Sequence, residues 1–284
     1  MVEIKKKDTG EVLATIDADN LVSADLSELD LRGADMSGLN LQGANFLHSD
    51  LSDADLSNAN LEQASLQGTR FNKAILRQAN LSHTNAGASN NGDRAIFTEA
   101  DLKGAILDSA DLRKAELRDA NLELAYLCNA DMRDADFHGS NMRQVKARRA
   151  LLIGANLSGT DLNEADFRDS HLNDANLKRA NLQGADLSTL SRGGFTVLNL
   201  ANLGSADLSN ANMRGIQVEN ADFRFANLSN ADLTGAVLSG SNLRRANVSD
   251  ADFSGVELAT VVMEYANFSQ AKNADIPSYK MHLR

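Results

Sequence analysis

Along most of the chain a large apolar residue returns at every fifth position, as at Leu51, Leu56, Leu61 and Leu66. No regular helix can bury that pattern, because a step of five residues rotates each side chain about 140° from the last. A strand fails as well, since an odd step places successive leucines on opposite faces. The chain must therefore change direction within every five residues.

The pattern runs in three phases, from Leu21 to Leu81, from Phe97 to Leu187 and from Leu198 to Phe268. These hold 47 central positions, and Ala147 alone among them is not a large apolar residue. The residue two before the centre is Ala in 33 of the 47 repeats, which marks a second inward position with room for only a small side chain. Between the two stands Asp or Asn in most repeats, as at Asp55, Asn60 and Asp131. The two residues after the centre vary and are polar or Gly. Each unit thus has a centre, a small position, a pre-centre and two following positions.

Two inward residues spaced by two make one face of a very short strand. The following positions carry turn formers, with Gly supplying positive φ and Asn or Asp bonding to local backbone. If each unit turns about a right angle, four units close a square coil, and coils stack about 4.8 Å apart through backbone pairing. Leucine returns every five residues because five residues make one side of the square. Leu51, Leu56, Leu61, Leu127, Leu157 and Leu228 are expected in the core, with Ala130 at a wall that approaches closely.

The unit Ala-[Asp/Asn]-[Leu/Phe]-x-x resembles that of the pentapeptide-repeat family over roughly residues 17–271. The resemblance implies an all-β fold, a right-handed quadrilateral β-helix (a β-solenoid). About 12 coils at about 4.8 Å would make a rod near 55 Å long. A β-hairpin cap is expected at residues 1–16, where two alternating segments flank Asp8-Thr9-Gly10, and a tail or cap at 272–284.

Interruptions are where binding is sought. Residues 82–96 read either as degenerate repeats with a bulge, in which Ala86 is a weak centre, or as an extruded loop of about 11 residues with Asn90, Asn91, Asp93 and Arg94; the loop is expected, because Asn91 would otherwise occupy a core centre. Within 188–197 a small bulge with Gly193 and Gly194 suffices. Arg143, Lys146, Arg148 and Arg149, with Arg168 one coil beyond Arg148, form the densest basic stretch. They suit carboxylates or phosphates, although a solvated charge cluster is the plainer reading. Val262 and Tyr265 stand at water-facing positions near the C-terminus, which points to an end cap or a homodimer contact.

The formal net charge is −11. Acids exceed bases by 14 to 8 in residues 1–96, by 16 to 13 in 97–197 and by 9 to 7 in 198–284. Such a surface argues against binding free nucleic acid. Without an apolar membrane segment or signal-like N-terminus, and with Cys128 the lone cysteine, a cytoplasmic protein is expected. No phosphate-binding glycine loop, metal-spaced Cys/His set or nucleophile motif is present. Of the aspartates, 16 stand at the pre-centre, where the repeat itself explains them. The expectation is a non-enzymatic scaffold for protein contacts, without cofactor or metal and with its partner unnamed. The family resemblance implies an alternative, an acidic mimic of duplex DNA that binds DNA gyrase or topoisomerase IV and alters quinolone sensitivity.

Overall fold

The computed structural model describes residues 1–88, 92–189 and 194–283. Two compact units, Met1–Val145 and Lys146–Arg284, obey one rule. Within an uninterrupted run of coils, bridged pre-centre residues pair in parallel twenty positions apart: Asp25 with Asn45, Asp30 with Asp50, Asp35 with Asp55 and Asn40 with Asn60 in unit 1, and Asn202 with Asp222 in unit 2. Four five-residue sides therefore complete a turn, and each unit is a β-helix.

The repeat around Leu51 shows what holds the coils. The amide of Asp50 donates to the Leu29 carbonyl (2.9 Å), that of Leu51 to Arg70 (2.7 Å) and that of Asp53 to Asn72 (2.9 Å), so three bonds cross to neighbouring coils. Ser49 closes the preceding corner by donating to Phe46 (3.0 Å). The fifth donor, the Ser52 amide, is taken by the Asp50 carboxylate at 3.0 Å. All five amides are thus satisfied, and the pre-centre preference for Asp and Asn follows from the one amide that no backbone carbonyl reaches.

The corner needs a left-handed residue at the second following position, as in a type II turn. Asp53 has φ 60° and Gly38, at the equivalent place, 66°. Inside, Leu51, Leu56, Leu61, Leu127 and Ala130 of unit 1 and Leu157 and Leu228 of unit 2 have no exposed surface. Phe71 and Phe97 stack with ring centroids 4.7 Å apart, close to the coil spacing.

The N-terminal edge of unit 1 is covered. β1 (Val2–Lys6) and β2 (Val12–Ile16) form an antiparallel hairpin. β1 also pairs with β3 (Ala34–Asp35). Lys7 continues the join, donating its amide to Gly33 at 2.8 Å and its ammonium to Asp55 at 2.6 Å. At the C-terminal end of unit 2 a 3-10 helix, Ser278–Leu283, folds back. The Lys280 ammonium donates to the carbonyls of Leu258, Ala259 and Val261 (3.1, 2.6 and 2.7 Å), and the Tyr279 hydroxyl to Ala259 at 3.0 Å. One ammonium with three donors meets three carbonyls of the terminal coil.

Both interruptions differ from the sequence expectation in size. Arg70 bridges Ile96 and His171 bridges Val197, each reaching six positions beyond the partner of a regular coil. In the first, Asn85 still bridges Ser65 and Asp111, Ala86 is buried at a centre, and the Ala88 amide keeps its ladder bond to Arg113 (2.9 Å). Extra chain is thus confined to the six residues between Ala88 and Ala95, and the loop expected from the sequence is too long. Small Ala86 fits the core as the weak centre of the degenerate-repeat reading. The bulge expected in 188–197 is likewise a six-residue insertion, since Thr196 is buried at a small position and Val197 bridges Gln217. Gly193 lies outside the described residues.

Candidate interaction surfaces

With the interior filled, recognition falls to the pre-centre and the two following positions. These rows are rigid, because each is tied by the ladder and corner bonds above. Bulky residues occupy some left-handed corners: Leu124, Leu200, Phe225 and Tyr265 have φ of 61°, 63°, 63° and 60°. For a residue other than Gly that conformation costs about 1–2 kcal/mol, and all four side chains are exposed.

Of the residues singled out in the sequence, Asn90 and Asn91 lie outside the described residues. Asp93 and Arg94 are engaged with the coils: the Asp93 carbonyl accepts from the Gly68 amide (2.7 Å), its carboxylate lies 4.0 Å from His48, and Arg94 is 3.3 Å from Glu116. His48, Arg70 and Arg94 line a shallow cavity of ≈ 290 Å³ beside the loop. Arg143 is exposed in unit 1. In unit 2, Arg148 and Arg168 both donate to Asp166 (2.6 and 2.7 Å), and Arg149 lies 4.0 Å from Asp169. Burial pushes the Asp166 carboxyl up, yet the bonds from Arg168 and Arg148 outweigh it and hold the group below the usual carboxylate range. Arg148 and Arg149 are therefore committed within the coil stack. Val262 is exposed at a pre-centre that bridges Asn242, and Tyr265 is exposed at a corner.

Sequence reasoning missed a second basic edge. In unit 2 the bridges stack Asn176 on Asn202, Asp222, Asn242 and Val262. The corner beside this column carries, coil by coil, Lys178-Arg179, Gly204-Ser205, Arg224-Phe225, Arg244-Arg245 and Glu264-Tyr265. Arg245 lies 5.5 Å from the Phe225 ring and 5.8 Å from the Tyr265 ring, a cation held between two aromatics. Arg224 is clamped by Asp222 at 2.6 Å, and that hydrogen bond holds the Asp222 carboxyl below its ordinary range. Among the described residues no carboxylate stands within ion-pair distance of Lys178, Arg179, Arg244 or Arg245. A cavity of ≈ 330 Å³ opens between Lys178, Arg179, Ser205 and Arg224. The signal was in the sequence, but only at the spacing of one whole coil, and lengthened by six positions across the insertion. Among the described residues no cluster of three or more His, Cys, Asp or Glu is placed to hold a metal ion, and no helix is long and apolar enough to cross a membrane.

The family model described as "Pentapeptide repeats" matches in eight copies, over residues 20–58, 54–90, 95–134, 105–144, 150–188, 201–240 and 241–272. A comparison with curated protein sequences finds no match. Among solved structures, the chain is similar to HetL, a pentapeptide repeat protein involved in heterocyst differentiation regulation from the cyanobacterium Nostoc sp. The identity is 30%, covering 87% of this chain and 94% of HetL, with a TM-score of 0.47. It is similar to QnrB1, a plasmid-mediated fluoroquinolone resistance protein, at 18% identity over 69% of this chain and 85% of QnrB1, with a TM-score of 0.37. A pentapeptide repeat protein of the Arabidopsis thaliana thylakoid lumen shares 37% identity over 37% of this chain and 66% of its own, with a TM-score of 0.22.

Proposed function

Because the chain belongs to the pentapeptide-repeat family, we propose that it is a non-enzymatic scaffold for protein–protein contact. One observation carries this reading: the small and central positions fill both interiors, so chemical variety is displayed only on fixed outward rows. A surface of that kind binds by matching rows of side chains to a partner and encloses no water-free reaction space. Affinity capture from a native lysate with cross-linking tests it. A stoichiometric protein partner, retained at the salt of the cell, is the expected outcome; recovery of the chain alone would refute the reading.

A second reading, mimicry of duplex DNA towards a type II topoisomerase, draws on the uneven charge. Unit 1 holds 24 acids against 14 bases, whereas unit 2 holds 15 against 14. Concentrated carboxylates favour a basic groove. The cationic edge of unit 2 opposes that reading, and it ranks second.

A further inference from the structure

We propose that the corner edge of unit 2 from Lys178-Arg179 to Tyr265 docks an extended acidic segment of a protein partner, with carboxylates interspersed with apolar or aromatic side chains. This deepens the scaffold reading and rests on it.

The edge joins two features. Lys178, Arg179, Arg244 and Arg245 are exposed and lack an ion-pair partner among the described residues. Elsewhere Arg113, Arg118, Arg133, Arg148, Arg168 and Arg214 each hold a carboxylate. Phe225 and Tyr265 add exposed aromatic surface on the same corner, 57% and 62% accessible, and both tolerate left-handed backbone to stand there. The geometry suits an extended peptide. Four coil steps of about 4.8 Å separate Arg179 from Tyr265, about 19 Å in all, which about six residues of extended chain would span. Its carboxylates would meet the Lys178-Arg179 and Arg244-Arg245 pairs, while its apolar side chains reach Phe225 and, at the far end, Tyr265. The acid on this column, Asp222, is paired with Arg224 at 2.6 Å and lies in the field of Lys178. Glu264 stands beside Tyr265, at the end where the apolar contact is expected. Nucleic acid offers the same anionic charge, but it places a charge on every nucleotide, whereas the Gly204-Ser205 and Glu264-Tyr265 corners of this edge carry no basic residue. A short carboxylate segment meets only the edge.

Fluorescence anisotropy on the full chain tests the assignment with three labelled probes: an eight-residue peptide alternating Glu and Phe, its Lys-Phe counterpart, and a dT12 oligonucleotide. The Glu-Phe peptide is expected to bind and to weaken as salt is raised, while the other two bind at least about tenfold more weakly. Arg179→Glu combined with Arg245→Glu should weaken the Glu-Phe peptide at least about tenfold. Glu fits that left-handed corner, as Glu28, Glu99 and Glu164 do in this chain, so the thermal midpoint should hold. If that double variant fails to fold, Lys178→Gln with Arg244→Gln, one position earlier on the same edge, makes the same measurement. Phe225→Ser, the residue found at Ser205 in the coil before, should weaken binding while leaving its salt dependence unchanged. Absence of peptide binding, or equal binding by folded charge variants, overturns the proposal. Preference for dT12 that is lost in the charge variants overturns the occupant and assigns the edge to nucleic acid. If the captured partner of the scaffold test cross-links equally to wild type and double variant, this edge fails while the scaffold reading survives.

Discussion

At the scale of the residue, position in the five-residue unit decides what a substitution does. Leu127 has no exposed surface, and Leu127→Ala should cost about 2–5 kcal/mol through the cavity it leaves. Its neighbour Cys128 points outward, half-buried, and Cys128→Ser should stay within about 0.5 kcal/mol. Equal melting of the two variants would show the inward positions to be misassigned. The small position has its own chemistry. At several sites where Ser or Thr replaces Ala, the hydroxyl donates to the centre carbonyl of the preceding coil: Ser49 to Leu26 at 2.5 Å, Thr69 to Phe46 at 2.7 Å and Ser140 to Leu117 at 2.6 Å. Ala130→Ser should therefore be nearly neutral, with Leu107 as acceptor, whereas Ala130→Leu should cost about 1–3 kcal/mol by overpacking. Urea unfolding of the pair reads the difference. At the pre-centre, Asn60 accepts the Glu62 amide (3.2 Å) and the Asn80 amide group (3.1 Å) while donating to Asn40 (3.1 Å). Losing those bonds in Asn60→Ala should cost about 1–2 kcal/mol.

At the scale of the element, the insertions and the caps behave differently because only the caps cover unpaired edges. The first insertion begins after Ala88 and ends before Ala95, with ladder bonds on both sides. Deleting residues 89–94 would leave Ala88 directly before Ala95 and restore an uninterrupted repeat. With Ala88→Gly to suit the left-handed corner, the melting temperature should be unchanged or higher; a large loss would show that the loop holds the coils together. The 3-10 helix is a different case. It brings Lys280 to three carbonyls that no further coil would otherwise meet. A chain ending at Gln270 exposes that edge, and edges template association. Sedimentation equilibrium should show the truncated chain to be more associated than the full one. A full-length dimer that falls apart on truncation would assign the C-terminus to self-association instead. The five-residue period and both phase slips were legible in the sequence. The size of each insertion was not, because Ala86 and Thr196 depart from the consensus and only the bridges of Asn85 and Val197 settle that both lie in the core.

At the scale of the molecule, charge is the property that varies most between the units. Several aspartates titrate below their ordinary range: Asp25 through the Ser27 hydroxyl, Asp30 and Asp222 through the guanidinium groups of Arg32 and Arg224, and Asp252 through the Ser254 hydroxyl. A depressed folded value means the unfolded chain binds protons first as the pH falls. Stability from these groups is thus fully present above about pH 5 and is lost progressively as the pH falls past the ordinary carboxylate value of about 4 and through the depressed folded values. Thermal melts between pH 7 and 3 should show a plateau and then a decline confined to the acid side. Charge also bears on the second functional reading. A DNA mimic must offer carboxylates to a groove that normally holds duplex, and unit 2, with 15 acids to 14 bases, offers almost no net charge. Gyrase supercoiling should be unaffected at about micromolar protein, and deletion of residues 89–94 should change nothing. Submicromolar, salt-sensitive inhibition would reverse the ranking of the two readings.

The fold was determined by the sequence almost residue by residue, because a pattern of five has so few physical solutions. An inward Leu and an inward Ala two residues apart, followed by turn formers, leave the backbone one way to bury both and pair its amides. Tertiary structure decided what lies side by side on the surface. Arg179, Phe225, Arg245 and Tyr265 are scattered over more than eighty residues of chain and follow no motif. They share an edge only because each four-sided coil returns the chain to the same corner, and because the coil that bulges between Asp186 and Val197 is longer by a whole six-residue insertion. Conversely, Arg148 and Arg149 stand together in the sequence, yet Asp166 and Asp169 of the next coil engage both. Core positions are set by a local period, whereas a surface charge is free or committed according to a neighbour one whole turn away.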